Sequence, residues 1–559
     1  MPGIIRDHVQ PLKAFSATDL PPKVLQTIFE FLRTEHHCTD SRDHGFLSPW
    51  IPATWVCRHW REVGLATPHL WSWIDINGRH CDPDAIATLL ARSGDENLSV
   101  SLDGQAMDMV TGCATILPVA PRISQLSVCM MEAHAPLVEE LLRHLGERLR
   151  ALVVHCEDEV QERGIALDPT QLPNLRKLSI RNIFVHPTAE LRGLRDLTLE
   201  CLWDVAVNGQ MDVGEYVYGM LAVCPDLETL DIEDAMPHAA AVEVGAYPQI
   251  TFKKLRWLWI SELAADLPAN LAKFVVPRSA TLGITARYDG CLPESFESAA
   301  DIEYKEGQDE QEEETNAVLP MNIFPANRDE NFPALADSQI LVLRLGTPCN
   351  IGDIQVEGGT WQVTVPSLND ERTTKTNRLP ELLKHVYSGF PTAFVDPSRI
   401  LFLDLHVAQR VPGFGGWAQV LAQFPNVVAL TVGGRNAFNE LVLALAGTGR
   451  GSGGGVLLPK LAQITACLAV RKTALRLAAG GARAFGMMLK ERAAQGHTLA
   501  SLIVQVPDSP LNAATVHLAS ALIAYMAVRG GRARVAKKDC LTCHDVLVHH
   551  RHHDRCCCE

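Results

Sequence analysis

The chain has 559 residues and a net charge of −15. That length exceeds a single typical core, so two or more domains are expected, and the acidic balance excludes general nucleic-acid binding, which needs a basic surface. An apolar content of 47% with 21% charged residues is that of a globular protein rather than a disordered or collagenous one.

The first stretch, MPGIIRDHVQPLKAF, carries no apolar signal core, and no run of 18 apolar residues occurs anywhere. The nearest, ATVHLASALIAYMAV, contains His517 and is expected to be a buried helix, so no membrane partner is expected. Sixteen Cys are scattered without the spacing of secreted disulfide domains. Together these predict an intracellular protein, cytoplasmic or nuclear, with reduced thiols. The sequon at Asn97 is then a chance match.

Residues 20 to 76 hold the first organised pattern. Leu20, Pro21 and Pro22 open a helix, since Pro lacks only an N–H that has no partner in the first turn. Leu25, Ile28, Phe29 and Leu32 fall at i, i+3, i+4 and i+7, one helical face. The polar run TEHHCTDSRDHG separates this helix from a second one, expected from about residue 53 to 65, with Val56, Trp60 and Val63 on one face. Gly64 and Pro68 punctuate its end, and WSWIDI reads as a short strand. Five of the ten Trp lie between Trp50 and Trp73, and side chains of that size need a large apolar contact area.

The L-P-P-x-V-L-x-x-I-F pattern from Leu20, with the later W-V-C-R-H-W-R-x-V and P-H-L-W-S, resembles the F-box, most closely as it is worded in the large families of mushroom-forming fungi. The resemblance covers about a tenth of the chain. It departs from the shortest F-boxes by the polar insert between the two halves. What it implies is a helical domain that docks on the Skp adaptor, and through it on a cullin scaffold, in a ubiquitin ligase whose F-box subunit selects the client. Carried over position by position, the adaptor-binding residues are Leu20, Pro21, Val24, Leu25, Ile28, Phe29, Trp55, Val56, Cys57, Trp60 and Trp71.

From about residue 97 to 510 a second pattern recurs, a leading Leu followed by x-x-L-x-[LIV]. It appears as PRISQLSVCM, ERLRALVVHC, LPNLRKLSIRNI, LRGLRDLTLECL, CPDLETLDIEDA and FKKLRWLWISEL, and later as SQILVLRLG, SRILFLDLHV, FPNVVALTVGG and TLASLIVQV. The spacing, mostly 19 to 33 residues, is in the range of leucine-rich repeats. One such unit cannot bury its own apolar face, so stacking must supply the core. The Asn expected after each strand is mostly missing, LSIRNI being an exception, so irregular turns are expected.

Two interruptions and a tail complete the chain. ESFESAADIEYKEGQDEQEEETNA is strongly acidic and reads as a solvated linker, or alternatively as bait for a basic partner. GTGRGSGGG at 447–455 is a Gly-rich loop. Its formal GxGxxG at Gly449, Gly451 and Gly454 follows a helix-like run rather than a strand, so no dinucleotide site is expected. The last stretch, GGRARVAKKDCLTCHDVLVHHRHHDRCCCE, has the C-x-x-C pair Cys540 and Cys543, with His549 and Cys556 as further weak metal-ligand candidates. With no helical period or aromatic anchor to fold around a metal, it reads as a disordered tail.

The expected fold class is therefore α/β, an N-terminal helical F-box followed by an irregular leucine-rich-repeat-like solenoid. The expected domains are 15–76, 85–292 (repeats), 293–338 (acidic and mostly disordered), 339–528 (repeats and a capping helix) and 529–559 (tail). No HExxH, GxSxG or P-loop is present, so no enzyme and no cofactor are expected. The expected partners are the adaptor, the cullin and a client protein. The alternatives are an F-box scaffold outside the ligase and a zinc- or redox-responsive protein using the Cys/His tail.

Overall fold

The computed structural model describes residues 20–35, 50–76, 83–104, 108–157, 164–202, 212–244, 247–287, 324–336, 340–345, 354–358, 361–365, 396–407, 417–434, 437–446, 456–467, 475–507, 513–528 and 531–538. The protein is mixed α/β and divides into two compact units, 1–190 and 191–559. The division falls inside the block expected as one domain over 85–292. The N-terminal helices thus share a unit with the first parallel strands.

In the first unit three helices come first, α1 Pro22–Glu35, α2 Trp50–Ala53 and α3 Arg58–Leu65. Five parallel strands follow: β1 Trp73–Ile76, β2 Leu98–Asp103, β3 Ile123–Met130, β4 Ala151–Cys156 and β6 Lys177–Arg181, with a short side pair, β5 Ile165–Leu167 and β7 Val185–Pro187. Trp73 pairs with Ser99, Ser99 with Gln125, Gln125 with Ala151 and Ala151 with Lys177, a step of twenty-six residues each time. The even step stacks like on like. Ile74, Val100, Leu126, Leu152 and Leu178 form one buried row, and Ile76, Leu102, Val128, Val154 and Ile180 the next. Each such side chain gains about 1.5–3 kcal/mol on full burial. Helices α4 Pro83–Arg92, α5 Met109–Ile116 and α6 Ala135–His144 lie in the connections, and α6 buries Ala135, Val138, Leu141 and Leu142 along one stripe.

The second unit repeats the scheme less evenly. Strands β8 Asp196–Glu200, β9 Thr229–Glu233, β11 Trp257–Leu263 and β13 Thr281–Arg287 are parallel neighbours, beside a short pair, β10 Ile250–Thr251 and β12 Phe274–Val275. An antiparallel meander then interrupts the order. Strands β14 Ile340–Leu345, β15 Ile354–Gly358 and β16 Trp361–Val365 fold back so that β16 lies against β13, while β14 pairs with the next parallel strand, β17 Phe402–Val407. Strands β18 Ala429–Gly434, β19 Gln463–Cys467, β20 Ser501–Pro507 and β21 Arg532–Lys538 continue in parallel. Helices fill the connections, at Trp417–Ala422, Ala437–Ala446, Leu475–Ala494 and Ala513–Val528.

Turns after the strands keep a common geometry without a common residue. Asn182, Cys201 and Asp234 directly follow β6, β8 and β9, and all three have φ between 51° and 54°. Asn182 donates from Nδ2 to the Cys156 carbonyl at 3.1 Å. The irregular turns expected from the missing Asn are thus partly regularised by left-handed backbone, which Asn and Asp tolerate better than most residues.

A buried polar network stiffens the second unit. Glu262 is fully buried on β11, and its Oε1 accepts the N–H groups of Ala235 (2.6 Å) and Met236 (2.9 Å). Asp266 accepts from the Ala239 N–H at 2.7 Å, and Asn270 donates to the Pro237 carbonyl and accepts the Tyr218 hydroxyl. Three side chains from β11 and the turn and short helix after it therefore satisfy the backbone of residues 235–239, which no strand pairs.

Three expectations need correction. First, the second N-terminal helix does not run from 53 to 65: α2 ends at Ala53, a turn follows, and α3 starts at Arg58 with the Cys57 sulfur as its N-cap. Second, the segment expected to be acidic and mostly disordered over 293–338 is ordered near its end, over residues 324–336. Phe324, Phe332 and Leu335 are buried, and Asn331 donates from Nδ2 to the Ala272 carbonyl at 3.0 Å while accepting the Val276 N–H. Residues 293–323, with the acidic run, lie outside the described residues, as does the Gly-rich loop 447–455. Third, helix Ala513–Val528 is not the end of the fold. The chain turns at Gly531, whose N–H reaches the Met526 carbonyl, and RARVAKK adds β21, parallel to β20. The stretch expected as the start of a disordered tail is thus held by backbone pairing to β20. Among the described residues no helix is long and apolar enough to cross a membrane.

Truncation after Val528 should therefore destabilise the second unit, because it exposes the hydrogen-bonding edge of β20 to solvent and to other chains. Light scattering and thermal denaturation of the truncated chain should show aggregation and a lowered midpoint. Glu262 supplies a pH signature. Burial pushes its carboxyl up from an ordinary 4.5 to about 8. Between those values the unfolded chain has shed the proton that the folded chain keeps, so stability falls as pH rises through this window. Glu262→Gln, which keeps the accepting oxygen, should flatten that part of the pH dependence in denaturant titrations at pH 5 and 8.

Candidate protein interface on the N-terminal helices

The N-terminal module is held by aromatic packing. Leu25 and Phe29 on α1 are fully buried with Trp50, Val63, Leu70 and Trp71. The Phe29 ring lies 5.7 Å from Trp60, edge-on, and 6.2 Å from Trp50, while Trp50 meets Trp71 edge to face at 4.8 Å. Such edge-to-face pairs add about 0.5–1.5 kcal/mol beyond burial. Trp71 places its indole N–H on the Gly64 carbonyl at 3.0 Å, and the Arg92 guanidinium covers its ring at 4.3 Å. Gly64 is required by the close approach: a Cβ there would stand 2.8 Å from Thr54 Cγ2.

Side-chain hydrogen bonds join the helices. Gln26 donates to Thr67, whose hydroxyl donates to the Val63 carbonyl. Arg33 donates to the His69 carbonyl at 2.9 Å, and its half-buried guanidinium is shifted down by desolvation. A His59 ring nitrogen lies 3.0 Å from the Leu20 carbonyl. That contact ties the start of α1 to the start of α3.

The residues expected to bind an adaptor sort into three groups. Leu25, Phe29 and Trp71 are interior and hold the module together, so they are unavailable to a partner. Leu20, Ile28, Cys57 and Trp60 are half-buried. Pro21, Val24, Trp55 and Val56 are exposed, Trp55 at 59% and Val56 at 58%. Helical periodicity had grouped Val56 with Trp60 and Val63. The turn before Cys57 breaks that period and turns Val56 outward. Pro21 lies just ahead of α1 and Val24 in its first turn, Trp55 and Val56 lie just ahead of α3, and the His59–Leu20 contact joins the starts of these two helices. Phe31 is a further large apolar side chain at 59% exposure, absent from the motif-based set. Exposed Trp, Val and Phe on one small module favour a partner that removes them from water.

The first unit has a second surface, the sheet face opposite its buried rows. There Asp75, Ser101, Ser127, Val153 and Ser179 stand in register, and Asp103, Cys129, His155 and Arg181 form the next row. Within that second row, Cys129 and His155 meet Glu157, with their ligand atoms within 4.8 Å of one another. None of these three was singled out from the sequence. Aligning QLSVCM with ALVVHC at the twenty-six-residue step places Cys129 opposite His155, and that alignment is the signal that would have found them. In the second unit, Asp231 stands beside Trp259, and Glu200 beside Glu233, on the strand positions that alternate with the buried ones. The tail candidates Cys540, Cys543, His549 and Cys556 lie outside the described residues.

A scan against models of known protein families gives no match to this chain, and a search of curated proteins finds no significantly similar sequence.

The division into interior and exposed residues has a direct consequence. Phe29→Ala should cost about 3–5 kcal/mol, the usual range for emptying an aromatic core site. Trp55→Ala with Val56→Ala should leave stability within about 0.5 kcal/mol, as surface changes do. Chemical denaturation followed by tryptophan fluorescence separates the two outcomes.

Proposed function

We propose that this chain is the substrate-recognition subunit of an SCF-type ubiquitin ligase. In this reading the N-terminal module is an F-box that docks on the Skp adaptor, and the repeats form an irregular leucine-rich-like solenoid whose open sheet face binds a client protein. The chain supplies no catalytic group; its role is to hold the client near the ligase.

One observation carries the reading. The stretch that resembles the F-box has a closed Trp and Phe interior, yet leaves Pro21, Val24, Trp55 and Val56 in solvent at the starts of α1 and α3, which the His59–Leu20 contact joins. An adaptor interface needs an apolar helical patch of about 800 Å² per partner, and Trp is among the residues enriched at the hot spots of such patches. The steady twenty-six-residue register of the first five main strands supports the solenoid part of the reading. Stacked units of that kind offer a broad surface for protein recognition.

Affinity capture from cells tests both halves of the claim. The wild-type chain should bring down the adaptor together with the cullin. Trp55→Ala with Val56→Ala should lower both by about thirtyfold, the equivalent of a 2 kcal/mol hot spot. Undiminished adaptor capture by this stable variant would refute the docking surface. Adaptor without cullin would instead mark a scaffold that works outside the ligase.

A further inference from the structure

The geometry points to a zinc site on the open sheet face of the first unit, formed by Cys129, His155 and Glu157. The register of β3 and β4 sets Cys129 directly opposite His155, and Glu157 follows the end of β4. The flanking residues Val128, Met130, Val154 and Cys156 are buried, so Cys129 and His155 point to the other side of the sheet. Cys129 Sγ lies 3.4 Å from Glu157 Oε1, and His155 Nδ1 lies 3.7 Å from the same oxygen. All three ligand atoms fall within 4.8 Å of one another.

The two spacings to Glu157 Oε1, 3.4 and 3.7 Å, are close to those of a zinc site. With zinc–sulfur bonds near 2.3 Å and zinc–nitrogen or zinc–oxygen bonds near 2.0–2.2 Å, the edges of a tetrahedral site are roughly 3.3–3.6 Å. An ion placed among the three atoms therefore needs only small side-chain adjustments. The backbone under the ligands is fixed. The Gly104 N–H donates to the Cys129 carbonyl at 2.7 Å, and the Glu157 N–H donates to the Met130 carbonyl at 3.0 Å. The side chains of His155 and Glu157 keep 25% and 21% of their surface in solvent, which leaves an entry path and room for water as fourth ligand.

The donor set selects the ion class. Sulfur and imidazole nitrogen disfavour calcium and magnesium, which take oxygen ligands, and suit zinc. On binding, the Cys129 thiol loses its proton to solvent as the zinc–sulfur bond forms, and His155 binds through neutral Nδ1. Affinity should therefore rise with pH. The site has three protein ligands and one open position, so it differs from closed four-ligand structural sites.

Cobalt titration of the full-length chain tests the assignment, with cobalt(II) as a spectroscopic stand-in for zinc. The five tail thiols, Cys540, Cys543, Cys556, Cys557 and Cys558, are first replaced by Ser so that the tail adds no thiolate signal. Cobalt should then produce a sulfur-to-metal charge-transfer band that zinc abolishes by displacement. Cys129→Ser on this background should remove the band. His155→Gln and Glu157→Gln should each weaken cobalt binding by more than about tenfold, since even outer-shell losses cost that much. Circular dichroism checks folding of each variant. If Cys129→Ser misfolds, Glu157→Gln at its partly exposed position carries the test alone, and unchanged affinity there overturns the site. No band in the folded tail-substituted chain, or a band that survives Cys129→Ser, also overturns it.

Discussion

The parallel ladder is the constraint on which the first unit depends. A single segment such as ALVVHC has Leu152 and Val154 on one side and nothing of its own to cover them. Burial comes only when the next segment arrives in register and a connecting helix closes over the row. A shift of one residue would send Leu152 to the open face and Val153 inward. The apolar rows thus fix the register, and the register in turn fixes which polar residues become neighbours on the far side.

The second unit meets the same need with less regular sequence. Its step varies from 24 residues between Trp257 and Thr281 to 38 between Gln463 and Ser501. Longer connections carry longer helices, and the meander β14–β16 takes places in the sheet between β13 and β17. Irregular connections leave backbone groups without strand partners. Glu262, Asp266 and Asn270 answer part of that need from the interior. Burying a carboxylate for this purpose is costly, and the upward shift of Glu262 expresses that cost.

The N-terminal module divides its aromatic residues between two tasks. Trp50, Trp71 and Phe29 fill its core together with Leu25, Val63 and Leu70. Trp55, less than one helical turn past the end of α2, is left outside. Sequence spacing cannot separate such neighbours when a helix breaks between them. The break is set by local contacts: Thr54 packs against Gly64 and donates to the Ile51 carbonyl, while Cys57 caps α3.

The sequence by itself determined the strands and their apolar face, because a period-two alternation of Leu and Ile has one way to bury itself. All ten segments picked out by the Leu pattern form strands, and α1 begins at Pro22 as its prolines require. It also determined that residues 20–76 hold a Trp-packed helical module. Only the tertiary structure decided which of those residues are core and which face solvent, where the second helix breaks, that the chain divides at 190, and that RARVAKK pairs as a strand. It alone brought Cys129, His155 and Glu157 together. The physical reason is common to these cases. Apolar periodicity is a local property of the chain, whereas strand partners and the cluster on the open face join residues 24 or more positions apart, and the helix break depends on how Thr54 meets Gly64, contacts that form only once the chain has folded.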